Sequence, residues 1–382
     1  MRPTKIAKPD PDGDLTLNVA PRENEPCSFR VCSATLRRNS PVWKAMLFGP
    51  SWMESKPADG ENWVVELPED PAYPMEIILD IIHGRLEGVP QTLGLKDLRD
   101  LLVLTNKYDM TGLVRPWCAQ WIKAARRPIL DTDDILRSLF IAWELGDEYL
   151  FALRLEDIAL RTKVDDKGRF NYTASVPTEK IRSFSDLDES DDHYITFEPS
   201  EKDAILEDED HVGPQDALDI ISSIRETLLT NLVTPIHEEL DSRIRSDSYY
   251  CRSTKSPASS VCDAVVIGQI HRNMLQVRGS TLPRSVSDIN DSVVELASWL
   301  FSLMSAIPTL HTEADNRRAL ECHPRRKFSK LNKKIHESIP ALVASSINPS
   351  HKEYMAKQRV KTGLVMATEQ DRSKLRRYWT LW

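Results

Sequence analysis

The stretch FRVCSATLRRNSPVWKAMLFGPSWME, residues 29–54, limits the folds open to this chain more tightly than any other segment. It begins as a strand in which Phe29 and Val31 share one face. Ser33 is the expected N-cap of a short helix over 34–38. Asn39 stops that helix and Ser40-Pro41 starts a second, because proline suits the first helical position and serine accepts from free N–H groups. Val42, Trp43, Met46 and Leu47 then recur at helical spacing until Gly49-Pro50 ends the run. Helices this short do not persist alone in water. They need a surface to pack on, and the flanking strands are the nearest candidates.

Those strands are legible by alternation. In DLTLNV (14–19), Leu15, Leu17 and Val19 face one way and Thr16 and Asn18 the other. PRENEP (21–26) reads as a hairpin connection to CSFRVC, and WVVELP (63–68) as a third strand. Helices are expected in DPAYPMEIILDIIHG (70–84), with Met75, Ile78, Leu79 and Ile82 on one face, and over 95–110, carrying Leu98, Leu101, Leu102 and Tyr108. A further helix in LVRPWCAQWIKAA sets Trp117 and Trp121 on one side. Residues 131–162 add two more, broken at Gly146-Asp147, with Asp131 to Asp134 favouring the helix N-terminus.

These segments together resemble a BTB/POZ domain over residues 14–128, most closely the divergent members found in filamentous fungi. The resemblance rests on the order and spacing of the strand, SATL, SPVWKAML, the next strand, LPED, the following helix and TNKYD. It implies a small β-sheet flanked by helices, with the 33–48 helix pair as architecture, Leu36 and Val42 in the core and Trp43 partly buried. It also implies a docking surface for proteins rather than an active site. Family members that bind cullin scaffolds carry a hydrophobic-x-Glu triplet after the second helix, and Trp52-Met53-Glu54 stand at that place. Met110, in KYDM, is expected to join them on one surface. The segment that dimeric members exchange is not evident, since 1–13 lacks an apolar pattern; a homodimer therefore stays open beside a cullin partner.

The rest of the chain divides by composition. Residues 1–13 are polar and proline-rich and are expected to be disordered. Residues 129–162 form a helical extension. Residues 163–215 read as an acidic linker, expected to be disordered, because 184–210 holds twelve acidic residues and one lysine. Helical periodicity returns over 216–345, with a kink at Pro235, and 346–382 reads as a basic tail. The fold class is thus α+β at the N-terminus followed by a mostly α-helical C-terminal region.

Function classes narrow further. The net charge of −8 does not suggest direct nucleic-acid binding. LASWLFSLMSAIPTL (296–310), closed by Pro308, is short for a membrane span and reads as a buried helix. MRPTKIAKPDPDGD has no apolar core of a secretory signal, and six cysteines at irregular spacing do not form a disulfide framework, so an intracellular location, cytoplasmic or nuclear, is expected. The basic run HPRRKFSKLNKK (323–334) reads as a solvated helix face, with a nuclear-import signal as the alternative. Cys251, Cys262, His311 and Cys322 are residue types that suit zinc. Ten residues separate the two cysteines and ten separate His311 from Cys322, unlike the short knuckles of most structural sites. Buried thiols and no cofactor are expected, with structural zinc the lesser alternative. No nucleophile elbow, Walker loop, zinc-protease or dinucleotide motif is present, so no enzyme is expected. Two readings remain: an adaptor whose BTB domain docks a cullin ubiquitin ligase, or a self-associating scaffold or nuclear regulatory protein unrelated to ubiquitination.

Overall fold

Alternation along β2 (Leu15–Arg22) and β3 (Glu25–Val31) builds an antiparallel pair in which Leu17 lies opposite Phe29. Leu15, Leu17, Phe29 and Val31 are buried on one face, while Asn18, Ser28 and Glu66 form a hydrogen-bonded row on the other. β4 (Val64–Leu67) adds in parallel to β2, burying Val65 and Leu67. β1 (Lys5–Ala7) adds in parallel to β3, giving the order β1-β3-β2-β4. The computed structural model describes residues 5–22, 25–50, 52–57, 62–127, 132–177, 197–208, 213–245, 251, 258–307, 323–368 and 372–373. Lys5–Ala7 is thus strand, against the expected disorder of 1–13: backbone pairing along a sheet edge needs no apolar side-chain pattern.

The helix pair forms where the sequence places it. α1 spans Ser33–Asn39 and α2 spans Pro41–Phe48. Ser40 caps α2, its Oγ accepting from the Trp43 N–H at 3.0 Å. Ser33 does not cap α1. It is the first helical residue, and Asp14 holds it from the start of β2, accepting from the Ser33 N–H at 2.8 Å and from its hydroxyl at 2.7 Å. Burial acts to raise the Asp14 pKa, but the bonds from Ser33 outweigh it and leave the carboxyl below its ordinary value.

Three sequence motifs meet beneath α2. Trp43 is fully buried, not partly so, and stacks on Tyr108 with ring centroids 4.4 Å apart. The Ser40 hydroxyl donates to the Tyr108 carbonyl at 2.6 Å. The Tyr108 hydroxyl donates to Asp70, which also receives Lys107 Nζ at 2.6 Å. SPVW, LPED and KYD are therefore one buried joint. α3 (Ala72–Ile82) lies over β2 and β3, and α4 (Leu95–Lys107) lies against α3.

Beyond this unit, α5 (Arg115–Ala125), α6 (Thr132–Leu145) and α7 (Glu148–Arg161) follow, with Trp117 and Trp121 stacked at 5.7 Å. The stretch 163–215 is not one disordered linker. β5 (Lys163–Val164), β6 (Phe170–Pro177) and β7 (Phe197–Ile205) form an antiparallel sheet in the order β5-β6-β7. Tyr172 anchors it, fully buried with its hydroxyl donating to Asp157 at 2.7 Å. Ala204, its partner across the sheet, and Leu206 after β7 are buried with it, so the acidic side chains nearby do not prevent pairing. Residues 178–196 and 209–212 of this stretch lie outside the described residues.

α8 (Ala217–Arg245) runs through Pro235. Its buried Arg225 donates to the carbonyls of Thr162, Ile289 and Asp291, tying α7 to the loop before the next helices. α9 (Ala258–Arg278), α10 (Val293–Ser305) and α11 (Pro324–Ser346) complete a helical layer around α8. Ser292 and Glu295 form a reciprocal cap at the start of α10, the apolar run read from the sequence as a buried helix.

The region after Ser346 is not merely a basic tail. α12 (Pro349–Thr362) packs back on α6 and on the 3-10 turn Thr111–Val114. Tyr354 stacks on Trp143 at 4.4 Å. Buried Glu144 accepts from Asn106 at 2.8 Å, Tyr354 at 2.9 Å and Gln358 at 3.2 Å. His351 meets Asp216 at 2.9 Å and Lys361 meets Asp109 at 3.1 Å. The approach depends on Gly146, whose φ of +79° suits glycine and where a Cβ would fall 2.3 Å from the Met355 carbonyl oxygen. One continuous apolar core consequently runs from Leu15 to Leu364.

Three outcomes test this account. Tyr108→Phe leaves the stack on Trp43 but removes one partner from buried Asp70, and is expected to cost about 1–3 kcal/mol in chemical denaturation. Gly146→Ala combines a strained left-handed backbone with a clash against α12. It is expected to cost roughly 2–4 kcal/mol and to speed limited proteolysis near 349–362. Burial, the largest influence on Glu144, raises its pKa, so the folded state favours the neutral acid. Stability is then highest below the ordinary glutamate range and falls as pH rises through it toward the raised value. In Glu144→Gln that slope disappears, because an amide carries no titrating proton, and Gln358 Oε1, buried without a partner, can turn to accept from the new amide. Melting temperatures across a pH series should show the variant gaining on the native chain as pH rises.

Candidate docking site

Phe48 is the last residue of α2 and lies outside its buried Trp43–Leu47 stripe. The chain after it folds against its own backbone. The Gly49 N–H donates to the Ala45 carbonyl at 2.8 Å, the Ser55 hydroxyl to the Gly49 carbonyl, and the Lys56 N–H to the Leu47 carbonyl at 3.0 Å. Trp63 braces the loop from the strand side: its indole N–H donates to the Glu54 carbonyl at 2.9 Å, and its ring meets Phe48 edge-on at 5.8 Å. The loop is thus held from both ends, and its apolar side chains point outward. Trp52 is 55% exposed, Met53 99% and Phe48 37%.

This apolar tip carries a basic rim. The Arg37 guanidinium lies over the Phe48 ring at 4.9 Å. Lys44, one helical turn before Phe48, is exposed, as are Arg38 and Lys56, while Glu54 is only partly exposed. Such a surface offers a large aromatic anchor, a flexible thioether and positive charge around them. It suits a partner with an apolar pocket and an acidic border.

Of the four partner-binding residues expected from the sequence, the structure brings together Trp52, Met53 and Glu54. It removes Met110, which is 3% exposed. Asp109 adopts a positive φ of 49°, and the Met110 N–H turns back to the Thr105 carbonyl at 2.6 Å, which drives the methionine side chain inward. The outer side of that turn is taken by Lys361 of α12. Phe48 and Arg37 were not anticipated. The available signal was that Phe48 falls one position beyond the i, i+4 pair Trp43–Leu47 and so rotates out of its stripe.

Of the four zinc-type residues, only Cys251 and Cys262 fall among the described residues. Cys251 and Cys262 are both buried. The Cys251 N–H donates to Asp263 at 3.3 Å, and Asp263 receives Arg243 at 2.8 Å, so this corner is organised around a buried ion pair. His311 and Cys322 lie outside the described residues. Among those described, no group of three or more metal-ligating side chains occurs. Arg325, Arg326, Lys330, Lys333 and Lys334 of the basic run are exposed along α11. No helix among the described residues is long and apolar enough to cross a membrane.

Comparisons with family models, curated proteins and solved structures found no match to this chain.

If the tip is purely a contact surface, its removal should not affect folding. The double substitution Trp52→Ala, Met53→Ala is expected to change unfolding free energy by less than about 0.5 kcal/mol, since exposed residues carry little of the packing. A larger loss in chemical denaturation would mean that Trp52 supports the fold.

Proposed function

We propose that this protein is a non-enzymatic adaptor whose N-terminal unit, residues 14–128, is a BTB/POZ domain that docks another protein through Phe48, Trp52 and Met53. The N-terminal domain of a cullin scaffold is the partner to test first. The observation that carries the reading is the presentation of Trp52 and Met53. Large apolar side chains are held outward on a loop whose backbone is fastened to α2 and to Trp63. A rigid exposed aromatic is a frequent centre of binding energy, because little order is lost when it enters a pocket.

The basic rim favours a different protein over a second copy of this chain at the same site. Two such tips facing each other would bring Arg37, Lys44 and Lys56 against their own counterparts, with like charges opposed. Self-association, if it occurs, belongs to another face.

Calorimetric titration of the full chain with a cullin N-terminal domain tests the proposal. Trp52→Ala, Met53→Ala is expected to weaken binding by about thirtyfold, equivalent to about 2 kcal/mol. Raising salt should weaken it further, as expected for a charged rim. Absence of binding by the native chain would reject the cullin reading. Binding untouched by the double substitution would reject the site.

A further inference from the structure

A pocket of about 150 Å³ opens among the C-terminal helices, lined by none of the docking-tip residues. Its walls come from four elements: Ile236 and Leu240 of α8, Ile270 of α9, Met304 of α10 and Phe328 of α11. Leu240, Ile270, Met304 and Phe328 are otherwise buried, so the void lies within the packed layer rather than on a flat surface. An apolar cavity of this size is large enough to take up a benzene-sized molecule, and clefts between helices of a bundle are frequent ligand sites.

The polar side of the pocket is formed by Glu239 and Lys327, paired at 2.8 Å. Glu239 also receives Arg243 at 2.7 Å, and Arg243 reaches Asp263 at 2.8 Å. Each of these four charges already faces an opposite one. A charged ligand would have to break an existing pair or sit against apolar walls without a counter-ion, and both are costly. A hydroxyl or ring N–H, by contrast, finds an acceptor in the Glu239 carboxylate.

We infer that the C-terminal helical layer binds a small neutral molecule, aromatic or branched aliphatic, of benzene to indole size and carrying at most one hydrogen-bond donor. Burial, the largest influence on Lys327, lowers its pKa, in keeping with a weakly solvated wall. The inference is independent of the docking proposal, since it uses none of the same residues.

The test uses the full chain with methyl-labelled methionine and five probes: benzene, phenol, indole, benzoate and benzylamine. Met304→Leu identifies the Met304 methyl resonance. Phenol or indole should shift that resonance and raise the melting temperature in a concentration-dependent way. Benzoate and benzylamine should bind at least about tenfold more weakly, reflecting an unpaired charge. Leu331→Trp, which fills the pocket from its rim, should abolish both effects. If that variant fails to fold, the Met304 resonance in the native chain remains decisive. The inference is overturned if no neutral probe moves the Met304 methyl, if only other methionines respond, or if a charged probe binds as tightly as indole.

Discussion

The fold turns on the contact between Trp43 and Tyr108. A stacked aromatic pair in the interior joins residues 65 positions apart; the Tyr108 hydroxyl donates to Asp70, while Trp43 is held through its backbone N–H, which donates to Ser40 Oγ. Ser40 serves two elements at once: its oxygen caps α2 and its hydrogen reaches the Tyr108 carbonyl. Asp70 gathers Tyr108 and Lys107, and its carbonyl receives the Ala20 N–H from β2. The sheet, the helix pair and α4 are thereby referred to one point. The outward rotation of Phe48, and so the position of the docking tip, follows from the direction in which Trp43 is buried.

The C-terminal part is held differently. α12 meets α6 through Glu144, Tyr354, Gln358 and His351, a seam in which Tyr354 and Gln358 donate to Glu144 beside one aromatic stack while Gln358 Oε1 and His351 Nδ1 stay without a partner among the described residues. A carboxyl in so little water is costly unless bonded, and here three donors converge on it. The same helix covers the turn beside Met110. The chain therefore fills with its own residues a face that the resemblance would leave to a partner.

The two proposed binding features differ in kind. The tip is convex, exposed and rimmed by positive charge, which suits recognition of a protein surface. The pocket is a partly open, apolar cleft with its charges internally paired, which suits a small neutral molecule. They lie in different helical layers, yet one continuous core connects those layers.

Much of the N-terminal architecture was legible from the chain alone. Alternation located β2, β3 and β4, the Ser40-Pro41 signal located α2, and Gly146-Asp147 marked the break between α6 and α7, because these features depend on local sterics and neighbouring backbone groups. The sequence also singled out Trp52 and Met53, which the fold leaves in solvent. It misplaced Met110, because only the positive φ at Asp109 and the docking of α12 decide that its side chain turns inward. It missed β1 and the second sheet, whose pairing depends on backbone bonds and on buried Tyr172 and Ala204. It read 346–382 as a tail because α12 buries a polar seam that no apolar period announces. Local sterics wrote most of the elements into the sequence. Which faces those elements cover was decided by contacts between distant residues, and those exist only once the chain has folded.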